Sequence, residues 1–281
     1  MLRNKTIQFH PLLLLLLIGS YFLGLFLEMI AFFIIIIIHE LGHYLTAKYY
    51  KWNITRLMVW PFGGVMETDD FYNRPSKEEF WVVIAGPLQH IWIYIVLLVM
   101  DGYHVEHVFL DQLWIVNTVI LLFNLLPVLP LDGGRILFLG VSKLVPFQKA
   151  IVWMSLASMA IIAIINLGLY FMAWTSIHLT FLSIFLLLDN WLLYKNKHIL
   201  LLKHLLGRYF ITESKELNIE LLRVKSEMAV GEIVKHFKRD CYHYIYVGQD
   251  EKPIPEEECL KLLFTQNTPD RLLNHIYAKD A

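Results

Sequence analysis

Two histidines and a glutamate lie at HExxH spacing in the stretch IIIIIHELGHYLTAK, residues 34–48. On a helix, side chains four residues apart lie on one face, so His39 and His43 can bind the same metal ion. Glu40 is one position round the helix and can reach a water molecule on that metal. This arrangement is typical of zinc hydrolases, in which the glutamate takes a proton from the attacking water.

The HExxH motif ends a run of isoleucines that is apolar enough to lie inside a lipid bilayer. Ionisable side chains in a membrane span are energetically costly and usually functional. The alternative is a chance HExxH at a helix end that emerges into water. The location therefore strengthens the interpretation of the motif as a metal site.

The composition predicts a polytopic membrane protein. Of 281 residues, 57% are hydrophobic and 17% are charged, and the mean hydropathy is +0.53. The net charge of −1 excludes the basic excess of a nucleic-acid-binding protein, so no nucleic-acid partner is expected. Cys241 and Cys259 are the only cysteines, and we expect both to be reduced in a cytosolic segment.

Six apolar segments are predicted to cross the membrane: residues 6–27, 29–47, 80–100, 112–131 and two crossings within 150–188. A cleaved signal peptide is the alternative for the first segment, but no A-x-A-like cleavage site follows it. Lysines and arginines lie in the N-terminus, in alternate loops and after the sixth segment, whereas the opposite loops contain none. Both termini are therefore predicted to be cytosolic.

A third metal ligand is predicted where the fourth segment ends, in NLLPVLPLDGGR at residues 124–135. Prolines break a helix, and a broken helix occurs within the membrane only where protein or water forms hydrogen bonds with the freed backbone groups. The second and fourth segments run in the same direction, so Asp132 arrives at the depth of His39 and His43. Catalytic zinc takes three protein ligands, and two histidines with a carboxylate are an established set. We therefore interpret Asp132 as a ligand rather than a turn or helix-cap residue.

The polar interval at residues 53–78 contains ITRLMVWPFGGVMETDD, which alternates between apolar and polar residues before two glycines. This pattern indicates a short hairpin or a membrane-dipping loop, and an ordinary connecting turn is an equal alternative. In the third segment, Gly86 and Pro87 indicate a kink or a close helix contact rather than chemistry.

The motifs resemble those of a known enzyme family. HExxH at residues 39–43 together with NxxPxxPxDG at residues 124–133 resembles the site-2 family of intramembrane zinc metalloproteases. PFGG, NRP, KEEF and AGPLQHIW, within residues 61–92, are similar to the sporulation branch of that family in endospore-forming bacilli. The resemblance covers most of residues 30–145. It implies an endopeptidase with Zn²⁺ on His39, His43 and Asp132 and with Glu40 as general base.

The resemblance also implies a substrate and its binding residues. The substrate would be a membrane-associated protein, a pro-sigma factor cut at its pro-sequence, and inhibitory membrane proteins would be further partners. The location would be the mother-cell side of the outer forespore membrane. We expect the substrate to unwind and to add as a strand beside the hairpin. The residues expected to position it are Phe62, Gly63, Gly64, Asn124, Pro127 and Pro130.

Charged residues return beyond residue 206, and this part predicts a small soluble domain. A helix at 228–237, a strand at 242–247 and a helix at 255–264 are predicted. Their order is similar to a CBS-type module, which implies an adenine nucleotide ligand and self-association into a homo-oligomer. A plain cytosolic cap is the alternative.

The predicted fold is an α-helical polytopic membrane protein with six transmembrane helices, a short membrane-associated hairpin and a small C-terminal α/β CBS-like cytosolic domain. The expected boundaries are 1–197 for the membrane domain, 198–214 for a linker and 215–281 for the cytosolic domain. A membrane metal transporter and a non-catalytic scaffold are the alternative functions. Residues 150–188 carry none of the charges expected of a transporter, and the presence of Glu40 argues against a scaffold.

Overall fold

A computed structural model of the chain describes residues 7–9, 11–60, 63–68, 70–103, 107–174, 176–210, 218–225, 227–248 and 252–265. The helices are α1 (Pro11–Phe22), α2 (Phe26–Tyr49), α3 (Ser76–Gly102), α4 (His107–Asn124), α5 (Asp132–Leu144), α6 (Phe147–Phe171), α7 (Ile177–Lys195), α8 (Lys197–Phe210), α9 (Val230–Ile233) and α10 (Glu256–Thr265). The strands are β1 (Ile7–Phe9), β2 (Ile54–Trp60), β3 (Gly63–Thr68), β4 (Asn218–Val224), β5 (Cys241–Val247) and β6 (Ile254–Pro255).

The chain divides into two compact units. The first contains Met1–Pro127 and Leu131–Ile136, and the second contains Val128–Pro130 and Leu137–Ala281. The predicted domain boundaries at 197 and 215 remain predictions. Helix α8 occupies most of the stretch that was expected to be a linker.

Helix α2 is central to the first unit because α1, α3 and α4 all pack against it. Ile35 and Ile36 of α2 are buried against Ile120 of α4, with partly buried apolar residues of α3 and α4 around them. On another side of α2, Phe33 packs against Leu13 of α1. The isoleucine run thus supplies the apolar surface that packs against α3 and α4, and Phe33 just before it supplies the contact with α1.

A three-stranded sheet lies in the first unit, with the order β1-β2-β3. Strands β2 and β3 pair in antiparallel orientation, with Trp60 opposite Gly63. This pairing confirms the predicted hairpin. Strand β1 pairs with β2 in parallel, with Ile7 opposite Leu57. The hairpin packs on the end of α2 through a buried cluster of Ala47, Trp52, Ile54, Met66 and Val82.

The first apolar segment is not the continuous span expected for residues 6–27. Its start forms β1, because the β-branched and aromatic residues there pair with β2. Pro11 then begins α1, which suits a residue that lacks a backbone donor at the first helical position. Gly24, with φ of +73°, forms the turn between α1 and α2.

Among the described residues, α2, α3, α6 and α7 are long and apolar enough to cross a membrane. The apolar parts of α1 and α4 are shorter, Leu13–Phe22 and Leu110–Asn124. Helix α4 ends at Asn124 rather than at residue 131, because the following prolines do not continue a helix. The described part of the chain is therefore largely helical with several apolar helices, and the count of six crossings stays a prediction.

Helix α5, at residues expected to form a loop, was not predicted. The division between the two units falls within it.

In the second unit, α6 packs against α7, and a second sheet has the order β4-β5-β6. Strands β4 and β5 are parallel, from Asn218 opposite Cys241 to Val224 opposite Val247. The helix expected at 228–237 is shorter, with α9 followed by a single 3₁₀ turn. The predicted order of helix, strand and helix is present in α9, β5 and α10, and the likeness to a CBS module stays a prediction.

Candidate metal centre

Helix α2 places both histidines of the HExxH motif on its buried face. His39 and His43 are 3% and 8% exposed. Their Nε2 atoms lie 3.1 Å apart, as expected for side chains one helical turn from each other. The helix therefore presents two nitrogen ligands to one point.

Asp132, the first residue of α5, lies at the same point. Its Oδ2 atom is 3.1 Å from Nε2 of His39 and 3.3 Å from Nε2 of His43. The first turn of α5 is packed closely against the end of α4, because a Cβ on Gly133 would collide with the carbonyl group of Leu125. The guanidinium of Arg135 lies over the ring of Phe71, 4.2 Å from its centroid. These contacts position Asp132.

The three ligand atoms have the spacing that zinc requires. Bonds of about 2.0–2.1 Å in a tetrahedral site place ligand atoms about 3.3 Å apart, and the observed separations are 3.1 to 3.3 Å. The buried Oδ2 of Asp132 accepts no hydrogen bond of good geometry from the described residues. A cation at the centre of the triangle would satisfy this oxygen. In the part of the chain that the structure describes, this is the one group of three histidine, cysteine or acidic residues able to hold a metal.

The outer nitrogen of each imidazole has a partner on α3. Nδ1 of His43 donates a hydrogen bond to the backbone oxygen of Val82 at 2.7 Å, which leaves the lone pair of Nε2 free for a metal. Nδ1 of His39 lies 3.0 Å from Nε2 of His90, which is itself 0% exposed.

Helix α3 approaches α2 through two glycine contacts. A Cβ on Gly42 would collide with the carbonyl oxygen of Ala85. A Cβ on Gly86 would collide with the His43 ring and would lie 2.8 Å from Nε2 of His39. The close helix contact predicted at Gly86 is confirmed. The expectation that Gly86 has no part in the metal site was wrong, because its missing side chain leaves the space that the two histidine rings occupy.

Glu40 is half-buried beside the histidines. No described residue donates a hydrogen bond to its carboxylate, so the group is available to a water molecule at the metal.

The expected substrate-binding residues are placed less completely. The Asn124 side-chain amide donates to the carbonyl oxygen of Ile120 in its own helix at 3.0 Å and forms no hydrogen bond with the three ligands. Gly63 and Gly64 begin β3, whereas Phe62 lies outside the described residues. Pro127 belongs to the first unit and Pro130 to the second.

Sequence reasoning missed His90 and Asn117. Both are completely buried, on α3 and α4, and Nδ1 of His90 lies 2.7 Å from Oδ1 of Asn117. The available indication was a polar side chain within each apolar segment, which is usually functional at membrane depth.

Several known proteins are similar in sequence to this chain. Residues 27–113 match the model of peptidase family M50. The chain is 36% identical to stage IV sporulation protein FB of Bacillus subtilis over 263 residues, which are 92% of this chain and 91% of the relative. A zinc metalloprotease of Methanocaldococcus jannaschii is 36% identical over 125 residues, which are 43% of this chain and 36% of the relative. The solved site-2 protease of the same organism matches with a TM-score of 0.49 and 28% identity over 70% of this chain and 91% of the solved chain.

Proposed function

The chain belongs to peptidase family M50, the site-2 zinc metalloproteases, and from this premise we propose that it cleaves a membrane-associated pro-protein within the membrane. A pro-sigma factor is the proposed substrate. This choice is supported by the 36% identity, over nearly the whole chain, to a protein named for stage IV of sporulation.

The observation that carries the proposal is the triangle of ligand atoms contributed by His39, His43 and Asp132, whose sides are 3.1 to 3.3 Å. These residues would hold the zinc ion. Zinc, when bound, supplies a Lewis acid that lowers the pKa of water to about 7 and polarises a carbonyl group. The burial of all three ligands supports an enclosed site in which these electrostatic effects are strong.

Glu40 would move the proton. Its free carboxylate would accept a proton from the attacking water and pass it to the nitrogen of the leaving amine. Water would add to the carbonyl carbon of the substrate's peptide bond, and the bond between that carbon and the peptide nitrogen would then break. The products would be a carboxylate and an amine.

The substrate must expose a peptide carbonyl that an intact helix would hold in a hydrogen bond. We expect the substrate to unwind and to pair with the outer edge of β3, because β2 is the only strand that pairs with β3 among the described residues. A strand added there gains backbone hydrogen bonds that replace those of the lost helix. Gly63 and Gly64, with Phe62, Asn124, Pro127 and Pro130, are the proposed substrate-positioning residues.

The substitution Glu40→Gln tests the proposed role directly. Cleavage of a pro-sigma factor that carries its membrane-associated pro-sequence should fall by about 10²–10⁴-fold, because the amide does not accept the proton. Zinc content should remain that of the wild type, since Glu40 is not a ligand. Glu28→Gln is the matched control, because Glu28 lies on the same helix and accepts a hydrogen bond from Gln112 instead.

Retained cleavage in Glu40→Gln with zinc bound would refute the general-base role. If the wild type and Glu40→Gln carried zinc into vesicles at equal rates, a transport function would be favoured instead.

Topology, partners and regulation are proposed on the same basis. Cytosolic termini follow from the distribution of lysines and arginines. The mother-cell side of the outer forespore membrane follows from the resemblance alone. Inhibitory membrane proteins, an adenine nucleotide at the C-terminal domain and a homo-oligomer follow from the resemblance alone.

A further inference from the structure

We propose that His90 and Asn117 are positioning residues, which hold His39 in the one tautomer that can bind zinc. This inference rests on the zinc site of the proposed function. It assigns a role in that site to two helices beyond those that supply the ligands.

The three side chains form a continuous buried chain of contacts. Nδ1 of His39 lies 3.0 Å from Nε2 of His90, and Nδ1 of His90 lies 2.7 Å from Oδ1 of Asn117. The side-chain amide nitrogen of Asn117 donates back to the carbonyl oxygen of His90 at 3.4 Å. His39, His90 and Asn117 are 3%, 0% and 0% exposed, so water does not compete for these groups.

The positions of the hydrogens follow from the chemistry of each atom. His39 binds a metal through Nε2 only if its hydrogen is on Nδ1, and that hydrogen must then be donated to Nε2 of His90. A neutral His90 that accepts at Nε2 carries its own hydrogen on Nδ1. The carboxamide oxygen of Asn117 is the acceptor there, and the amide group, which donates to the His90 carbonyl, is held in that orientation.

The opposite arrangement would disable the ligand. If the hydrogen of His90 were on Nε2, Nδ1 of His39 would have to accept it, and the hydrogen of His39 would then occupy Nε2. A nitrogen that carries a hydrogen does not bind zinc. Because Asn117 offers an oxygen and not a donor to Nδ1 of His90, it selects against this arrangement.

The two histidine ligands differ in how they are held. Nδ1 of His43 donates to a backbone oxygen, that of Val82, which no side-chain substitution removes. His39 depends on side chains from α3 and α4. Substitution of His90 or Asn117 should therefore weaken zinc binding, although neither residue is a proposed zinc ligand.

A purely structural role is the competing explanation, because buried polar side chains also hold membrane helices together. The two explanations differ in what a glutamine at position 90 would do. Its carboxamide oxygen can accept the hydrogen from His39, so it should preserve the tautomer, whereas a phenylalanine of similar shape offers no acceptor.

The test is zinc affinity, measured on the full-length protein in lipid nanodiscs by competition with a chromogenic chelator. His90→Phe should weaken zinc binding by about 10–100-fold, the usual effect of losing the hydrogen-bond partner of a metal-binding histidine. His90→Gln should restore binding to within about threefold of wild type, as expected if one accepted hydrogen bond is what matters. Asn117→Leu should weaken binding less than His90→Phe, because His90 remains.

Helical content and thermal unfolding of the zinc-free variants control for folding, and His178→Phe, at an exposed histidine of α7, controls for adventitious zinc. Wild-type affinity in His90→Phe would overturn the proposal, as would an equal loss in His90→Gln. Failure of the proposed function would be distinguishable, because the wild type would then bind no stoichiometric zinc or Glu40→Gln would still cleave.

Discussion

Gly86 carries a hydrogen atom where any other amino acid would carry a Cβ. The rings of His39 and His43 occupy the room that this Cβ would need. Side-chain size at one position of α3 therefore decides whether two ligands on α2 can converge. The metal site thus depends on a residue without functional groups.

Gly86→Ala should abolish or displace the zinc site. The added methyl group collides with the His43 ring and lies 2.8 Å from Nε2 of His39, so one or both rings must turn away. Loss of one ligand should weaken zinc binding by at least about 10–100-fold, the effect of merely disturbing a ligand's partner. Zinc content after dialysis against a chelator measures this.

Gly102→Ala is the matched control for that prediction. Gly102 ends the same helix, and a Cβ there meets nothing within 4 Å. Equal zinc content in both alanine variants would contradict the assignment of Gly86.

Among the secondary-structure elements, the hairpin is the one proposed to bind the substrate. The cluster of Ala47, Trp52, Ile54, Met66 and Val82 joins it to the ends of α2 and α3 that carry the site. Strand β1 covers the β2 edge of the hairpin, and among the described residues no strand pairs with the other edge of β3. An edge strand with unpaired backbone groups is a ready template for a further strand.

We expect a substrate to crosslink to β3. A single cysteine at Val65 of β3, in a Glu40→Gln background that traps the substrate, should form a disulfide with a cysteine near the cleavage position of a pro-sigma factor. A cysteine at Leu188, which is 54% exposed on α7, should not. The reverse pattern would exclude strand addition at β3.

The native cysteines interfere little with this measurement. Cys259 is completely buried, and burial raises the pKa of its thiol to about 12, which keeps it from reacting. Cys241 is partly exposed and is replaced by serine in both variants.

In the molecule as a whole, the second unit carries its own buried charge network. Glu256, 5% exposed, accepts hydrogen bonds from Arg208 at 2.7 Å and from Nδ1 of His243 at 3.0 Å. Nε2 of His243 accepts from the backbone N–H of Lys238 at 3.1 Å, so the ring is fixed as a donor towards Glu256. One carboxylate thus ties α8 and β5 to the start of α10.

Glu256→Gln should destabilise the second unit by about 3 kcal/mol, because it leaves the charge of Arg208 without its partner. Hydrogen exchange of the β5 amides should accelerate in proportion. Glu257→Gln, at the exposed neighbouring position, should leave exchange unchanged. Equal exchange rates in the two variants would contradict this role of Glu256.

The same network gives the wild type a pH dependence. Burial by itself raises the pKa of Glu256, but the hydrogen bonds from His243 and the charge of Arg208 outweigh burial and hold the pKa below its ordinary value of 4.5. A lowered folded-state pKa contributes stability above pH 4.5 that is lost as the pH falls further. Glu256→Gln should remove this part of the acid sensitivity.

The sequence by itself determined the metal-binding motif and much of the fold. HExxH spacing on an apolar helix requires that both imidazoles share a face, whatever surrounds them. The run of apolar residues also dictates helices. Alternation before two glycines indicated a hairpin or a membrane-dipping loop, with a connecting turn as an equal alternative, and the structure shows the hairpin. The nomination of Asp132 depended on the direction of two segments, and the structure brings it to within 3.3 Å of both histidines.

Only the tertiary structure decided what surrounds the ligands. The pairing of β1 with β2, the room at Gly86 and the contacts of His39 with His90 and of His90 with Asn117 join residues far apart in the chain. Local sequence patterns report the period of a helix or strand, but they contain no distance between one element and another. That distance is set by packing, and packing is what places a glycine and a third buried histidine, His90, beside the site.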